Sequence, residues 1–135
     1  VGGSVLEVHT DNTHPVMAGA PARLAVFHNR SPVFTTTSGF RGAALAKYTD
    51  KGSPLRSGYL FGEEKLRGYA AALDVHHGKG HVILIGFRPQ WRGQTFGTFR
   101  VMFNAALYHG VQTAFGRGAK GFWRAPGETK AETKK

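Results

Sequence analysis

The residues best suited to chemistry lie in one loop, Arg88-Pro89-Gln90-Trp91-Arg92-Gly93-Gln94-Thr95. A buried strand reads as ending just before it and a helix as starting just after it. The first turn of a helix carries unpaired N–H groups and the positive end of the helix dipole, and both favour an anion. Arg88 and Arg92 add forked donors that match a carboxylate or a phosphate. Gln90, Gln94 and Thr95 add neutral polar groups, so these five residues are the anion- or substrate-binding candidates. The competing reading is structural. In it Arg88 and Arg92 form internal ion pairs with Glu63 or Glu64, and Trp91 covers an edge of the core.

Other chemistries find less support. The seven histidines are His9, His14, His28, His76, His77, His81 and His109. A zinc hydrolase is expected to show His-Glu-x-x-His or a related helical spacing, and neither occurs. His76, His77 and His81 flank a turn, but adjacent residues on a strand point to opposite faces, so His76 and His77 do not chelate together. No metal site is predicted. Cys is absent and so is Gly-x-Ser-x-Gly, which removes the usual nucleophiles. Glu63 and Glu64 are neighbours on a short helical segment, about 100° apart, and do not form a facing acid/base pair. No phosphate-binding glycine motif is present. No catalytic residue is assigned.

The 135 residues fit one domain with a real core. No apolar run approaches the ~20 residues that span a bilayer. Without Cys the redox compartment stays open. Net charge is +10, of which the residues after Gly116 carry +4. A basic surface suits polyanions, and Phe122-Trp123 between Lys120 and Arg124 is a weak stacking platform for single strands. The plainer reading is a soluble surface with a hydrophobic anchor, and nucleic acid is not the expected partner. Val1-Gly2-Gly3 shows neither an initiator Met nor a signal-peptide pattern, which predicts a piece of a longer chain.

Elements follow from periodicity. Val5 to His9 alternates, with Leu6 and Val8 on one side, and reads as a strand. Val16 to Gly19 reads as a helical turn, Leu24 to His28 as a strand and Val33 to Thr37 as a β-rich run. Ala43 to Tyr48 reads as another strand. A short helix is expected around Glu63 to Leu66, and Ala72 to His77 is a strand. Gly78-Lys79-Gly80 reads as a three-residue hairpin loop. His81 to Phe87 is nearly continuous in its apolar character, which predicts a strand covered on both faces in the middle of a sheet. A helix runs from Thr95, as N-cap, to about His109, with Gly110 closing it. Phe96, Phe99, Phe103, Ala106 and Leu107 form its apolar stripe, expected to face the core. Residues 1–116 form the folded unit, and 117–135 read as a basic tail without apolar periodicity.

Several pieces of the chain carry a resemblance when taken in order. They are Gly62-Glu63-Glu64-Lys65-Leu66, Gly78-Lys79-Gly80 before Val82-Ile83-Leu84-Ile85-Gly86-Phe87, Arg88-Pro89-Gln90, Gln94-Thr95 with Gly97-Thr98-Phe99, and Phe103-Asn104-Ala105. Upstream, Gly3-Ser4-Val5-Leu6, His14-Pro15 and Ser31-Pro32-Val33-Phe34 continue it, so it covers roughly residues 3 to 109. This order resembles the C-terminal region of large bacterial zinc carboxypeptidases of the carboxypeptidase A-like class.

The resemblance implies an α/β fold: part of a flavodoxin-like, class I glutamine amidotransferase-like sheet with flanking helices, here truncated at its N-terminus. It ends in a hairpin followed by an amphipathic helix. It implies a non-catalytic accessory domain that packs on the upstream peptidase domain of the same polypeptide or aids binding of an acidic substrate group. Zinc and its ligands belong to that upstream domain, so no cofactor is expected in this chain. A periplasmic or secreted location is implied. The alternative is a stand-alone basic module that binds nucleic acid or another polyanion.

Overall fold

The computed structural model describes residues 2–108 and 118–126. Among these residues it is a mixed α/β structure in which one curled antiparallel sheet is followed by one α-helix. The strands are β1 (Gly2–Thr10), β2 (Arg23–Asn29), β3 (Gly42–Lys47), β4 (Leu55–Ser57), β5 (Ala70–His77) and β6 (Gly80–Ile85); helix α1 is Phe96–Leu107. Two 3-10 turns, Pro15–Met17 and Glu63–Leu66, stand where short helical segments are predicted.

The sheet order is β2-β1-β3-β5-β6, with β4 also paired to β1. Every pairing between these strands is antiparallel. The parallel pairs of a flavodoxin-like sheet are not formed among the described residues. Beyond β6 the chain reaches back to the far edge of the sheet, where the Arg88 N–H donates to the Phe27 carbonyl of β2 at 2.9 Å. The sheet therefore curls until its two ends meet.

Two apolar clusters sit on the two faces. The larger includes Leu6 and Val8 from β1, Leu24 and Val26 from β2, Leu45, Phe87 and Val101. Each such buried side chain stabilises the fold by roughly 1.5–3 kcal/mol. The smaller is built on Ala44, Ala70 and Leu73, with Phe34, Phe40, Leu84, Phe122 and Trp123 against it. Ile83 and Ile85 face the first cluster and Leu84 the second, which explains the unbroken apolar character of β6. Yet β6 is the last strand in the order and not a central one. Its faces are covered only in part: the curl and the 34–40 loop half-bury Ile83, Leu84 and Ile85, while Val82 is 45% exposed.

Other expectations shift for local reasons. The run from Val33 to Thr37 is a loop with one isolated bridge, Phe34 to Ala70, because Pro32 and the turn after Thr37 leave room for only one pair. The β5–β6 hairpin has two loop residues, Gly78 and Lys79, since Gly80 already pairs with His77. Residues 118–126, which composition places in the tail, are packed. Trp123 Nε1 donates to the Gly68 carbonyl at 2.7 Å, and Ala125 is buried. Lys47 lies over the Phe122 ring. These aromatics, half-buried, anchor a segment to the sheet. The rest of the 117–135 tail and Gly110 lie outside the described residues.

Two predictions follow from buried backbone and ring groups. A Cβ on Gly42 would overlap the Asp74 carbonyl oxygen across the β3–β5 pair, and Gly42 has φ +151°. Gly42→Ala is expected to cost roughly 1–3 kcal/mol in urea unfolding; a loss within error of zero would contradict this packing. His28 is buried, its ring edge-on to Tyr48, and neither ring nitrogen has a partner among the described residues. Burial pushes its pKa below the ordinary imidazole value. The unfolded chain then takes up a proton near pH 6.5 that the folded chain refuses. Stability from this source is complete above that pH and falls as pH drops, by at most about 1.4 kcal/mol per unit. Replacing His28 by Phe should flatten the stability curve below pH 6.5, read by chemical unfolding at a series of pH values; an unchanged slope would contradict it.

Candidate functional site

The predicted loop is well formed. Trp91 and Gln94 exchange both backbone hydrogen bonds, Trp91 N–H to Gln94 O at 3.1 Å and Gln94 N–H to Trp91 O at 2.8 Å. Between them Arg92 and Gly93 both take positive φ, +48° and +77°, as a tight two-residue turn requires. Gly93 adopts this freely, whereas Arg92 does so at some strain. The Trp91 indole stacks on Phe27 at 6.1 Å, and the Arg88 and Arg92 guanidiniums lie 4.9 and 5.7 Å from it. Trp91 thus closes the seam where the sheet ends meet and gathers both cations at one exposed place.

No carboxylate pairs with Arg88 or Arg92 among the described residues. Glu63 lies 3.9 Å from Arg67, so the internal pairs with Glu63 or Glu64 are not formed. Gln90 and Gln94 are exposed. Thr95 stands at the N-cap position, but its side chain makes no capping bond. Its hydroxyl donates instead to the Ala25 carbonyl at 2.9 Å and so ties the helix start to β2.

Helix α1 is turned over relative to its apolar stripe. Phe96, Phe103 and Leu107 are 81%, 59% and 72% exposed, while Thr98 and Val101 are buried. The inward face mixes small apolar residues, Val101 and Ala105, which join the larger cluster, with the polar Thr98 and Asn104. The Thr98 hydroxyl lies 2.7 Å from the Pro89 carbonyl and 2.6 Å from the Thr95 carbonyl. Asn104 Nδ2 donates to the carbonyls of Val16 and Ala18, both at 3.1 Å. Gly97 approaches Leu24 so closely that a Cβ would meet it at 2.9 Å. Loop carbonyls under the helix need donors, and small residues permit the close approach. That requirement outweighs the burial of three large apolar side chains.

The polar centre of the molecule is one that sequence reasoning misses. Asp74 on β5 is buried with no exposure. His14 Nε2 donates to its Oδ2 at 3.1 Å, and the Tyr108 hydroxyl donates to the same oxygen at 3.2 Å. His81 Nδ1 sits 2.9 Å from Oδ1 and 3.0 Å from Oδ2. His76 Nε2 lies 3.9 Å from Oδ2 and is buried without a hydrogen-bond partner among the described residues. His14 owes its place to Pro15, which starts the 3-10 turn, and acts as its cap: Nδ1 accepts the Val16 N–H at 3.2 Å. That bond fixes the ring with its proton on Nε2, aimed at Asp74. Burial would raise the Asp74 pKa, but the hydrogen bonds from His14 and His81 outweigh it and hold the carboxyl below its ordinary value. Burial and the neighbouring carboxylate push the Tyr108 hydroxyl up to about 12.

The signal for this centre is present in Asp74-x-His76. On a strand these two share a face, and the tight turn sets His81 opposite His76. Attention to the adjacent pair His76 and His77 hides it. His77 is exposed and takes no part among the described contacts.

Asp74→Asn removes the charge and turns one of the two acceptor oxygens into a donor, so His14, His81 and Tyr108 no longer all find an acceptor. Asp74→Asn is expected to destabilise by roughly 3 kcal/mol and Tyr108→Phe by about half as much. Urea unfolding of both variants checks the order, and a neutral Asp74→Asn would show that the centre holds nothing together. Compared with protein families, with curated proteins and with solved structures, the chain matches none.

Proposed function

We propose that this chain is a non-catalytic accessory module that docks on a larger partner through the outer face of α1 and the adjoining Arg88–Arg92 turn. The observation that carries this reading is the inverted helix. Phe96, Phe103 and Leu107 lie on the outer side of an element whose inner side is already fully engaged. Apolar groups gathered in this way mark an interaction surface more often than a solvent face. Tyr59 and Phe61, on the loop after β4, are also largely exposed.

The resemblance to the C-terminal region of zinc carboxypeptidases supplies the partner: an upstream peptidase domain of the same polypeptide, in the periplasm or outside the cell. On this reading the described antiparallel sheet is the later part of an amidotransferase-like α/β domain, and any parallel strands of the flavodoxin-like type lie upstream. Zinc and catalysis belong to the peptidase domain. The guanidiniums of Arg88 and Arg92, which pair with no carboxylate among the described residues, meet an acidic group of that domain or of its substrate, with Gln90, Gln94 and Thr95 beside them.

The test uses the triple substitution Phe96→Ser, Phe103→Ser and Leu107→Ser. Exposed side chains contribute little to folding, so stability should stay within about 0.5 kcal/mol of the parent chain. An antibody raised against this chain should detect a band well above the mass of 135 residues in the source cells. Within that larger protein the triple variant should loosen the module, read as faster limited proteolysis at its boundary. A band at the mass of the chain alone, or unchanged proteolysis, would overturn the proposal.

A further inference from the structure

We propose that Asp74, His76 and His81 form a binding site for a divalent first-row transition ion such as zinc. The inference is independent of the docking reading. Three observations support it.

The first is register. Asp74 and His76 lie two apart on β5 and share a face, and His81 on β6 pairs directly with His76. A rigid two-strand hairpin therefore presents all three donors to one point. The second is spacing. One ligand atom from each residue lies within 4.8 Å of the others. Asp74 to His81 is 2.9 Å and Asp74 to His76 is 3.9 Å. Ligands about 2.0–2.1 Å from a tetrahedral zinc are roughly 3.4 Å apart, between those two distances. The third is the unsatisfied atom. His76 Nε2 is buried and has no hydrogen-bond partner among the described residues, although a carboxylate lies just beyond bonding reach. A cation between them satisfies both.

The surroundings suit a metal. His14 Nε2 and the Tyr108 hydroxyl both donate to Asp74 Oδ2, which orients the carboxylate as outer-shell partners do. His14 is not itself a ligand, because its Nδ1 is occupied by the Val16 N–H and its Nε2 carries the proton. Two imidazoles and one carboxylate form a borderline donor set, which favours zinc and its neighbours over calcium or magnesium. To bind through Nδ1, His81 takes the tautomer with its proton on Nε2, which leaves Nδ1 free for the ion. The protein contributes three ligands, leaving the remaining position to water or to a donor from a partner. His76 and His81 are partly exposed, so the ion has a route in from solvent.

The test is calorimetric titration of the metal-free 135-residue chain with zinc chloride at neutral pH. One zinc per chain is expected, with a rise in melting temperature, because the folded hairpin binds and the unfolded chain does not preorganise the ligands. His76→Gln removes a ligand without disturbing the hydrogen bonds to Asp74, and it should weaken binding at least about 100-fold with unchanged circular dichroism. Tyr108→Phe should weaken it about tenfold through the carboxylate alone. His77→Gln, at the exposed residue just before the turn, should leave it unchanged. Cobalt(II) should give the strong visible bands of a low-coordinate site. Absence of saturable zinc binding overturns the proposal. So does equal weakening by His77→Gln and His76→Gln, which would mean scattered surface histidines only.

Discussion

A carboxylate without solvent exposure sits where β5, β6, the Pro15–Met17 turn and the end of α1 come together, and its charge constrains them all. A buried Asp remains ionised only if donors replace the water it has lost. Here they come from far along the chain: His14 lies 60 residues before Asp74 and Tyr108 lies 34 after it. The turn cannot shift without taking His14 Nε2 out of range, and the helix cannot slide without withdrawing the Tyr108 hydroxyl. Gly42 lets β3 lie close against the Asp74 backbone. The apolar clusters supply most of the stabilising free energy, but they are tolerant of small displacements in a way that a charged acceptor is not.

Polar accounting also decides how the helix lies. Its Phe-rich side has the larger hydrophobic gain to offer, yet Thr98 and Asn104 face inward and reach the carbonyls of Pro89, Thr95, Val16 and Ala18. Leaving such carbonyls buried and unpaired costs about as much per group as burying one aromatic ring returns. The close approach at Gly97 and Val101 then recovers dispersion contacts. The result is a helix anchored by its least apolar face, with Phe96, Phe103 and Leu107 available to something else. Toward the other end of the sheet Glu7 on β1 performs a similar service, binding Arg23 of β2 and Arg56 of β4, the strands that flank it. Partial burial would raise its pKa, but the hydrogen bonds from both arginines outweigh it and hold the carboxyl below its ordinary value.

What was legible in the sequence was local. Alternation gives β1 its inward Leu6 and Val8, and the strands β2, β3, β5 and β6 stand where their β-branched and apolar runs lie. Glycine and proline mark the turns correctly, to within one residue at the β5–β6 hairpin. Long-range facts were not legible. An apolar stripe identifies a helix but not whether that stripe meets its own core. An apolar run identifies a strand but not its place in the sheet: β6 is the last strand in the order, and Val82 on it is exposed. Asp74-x-His76 was readable as one face of a strand. Its partners His14 and Tyr108 become neighbours only through the curl of the sheet.

The polar centre also bears on register. An apolar core in place of a buried ionic group is often as stable or more so, so net stability does not account for what Asp74 contributes. A one-residue slip of β5 against its neighbours would carry Asp74 to the other face, among Leu73, Leu84 and Phe34. The apolar residues flanking it, Ala72 and Leu73 on β5 and Ile83 and Leu84 on β6, would tolerate that slip, since both faces are apolar. Asp74 would not, because no donor awaits it there among the described residues. In a sheet whose two faces are so alike, the buried charge is the group that makes one register far better than the next. It thereby fixes on which face His76 and His81 stand.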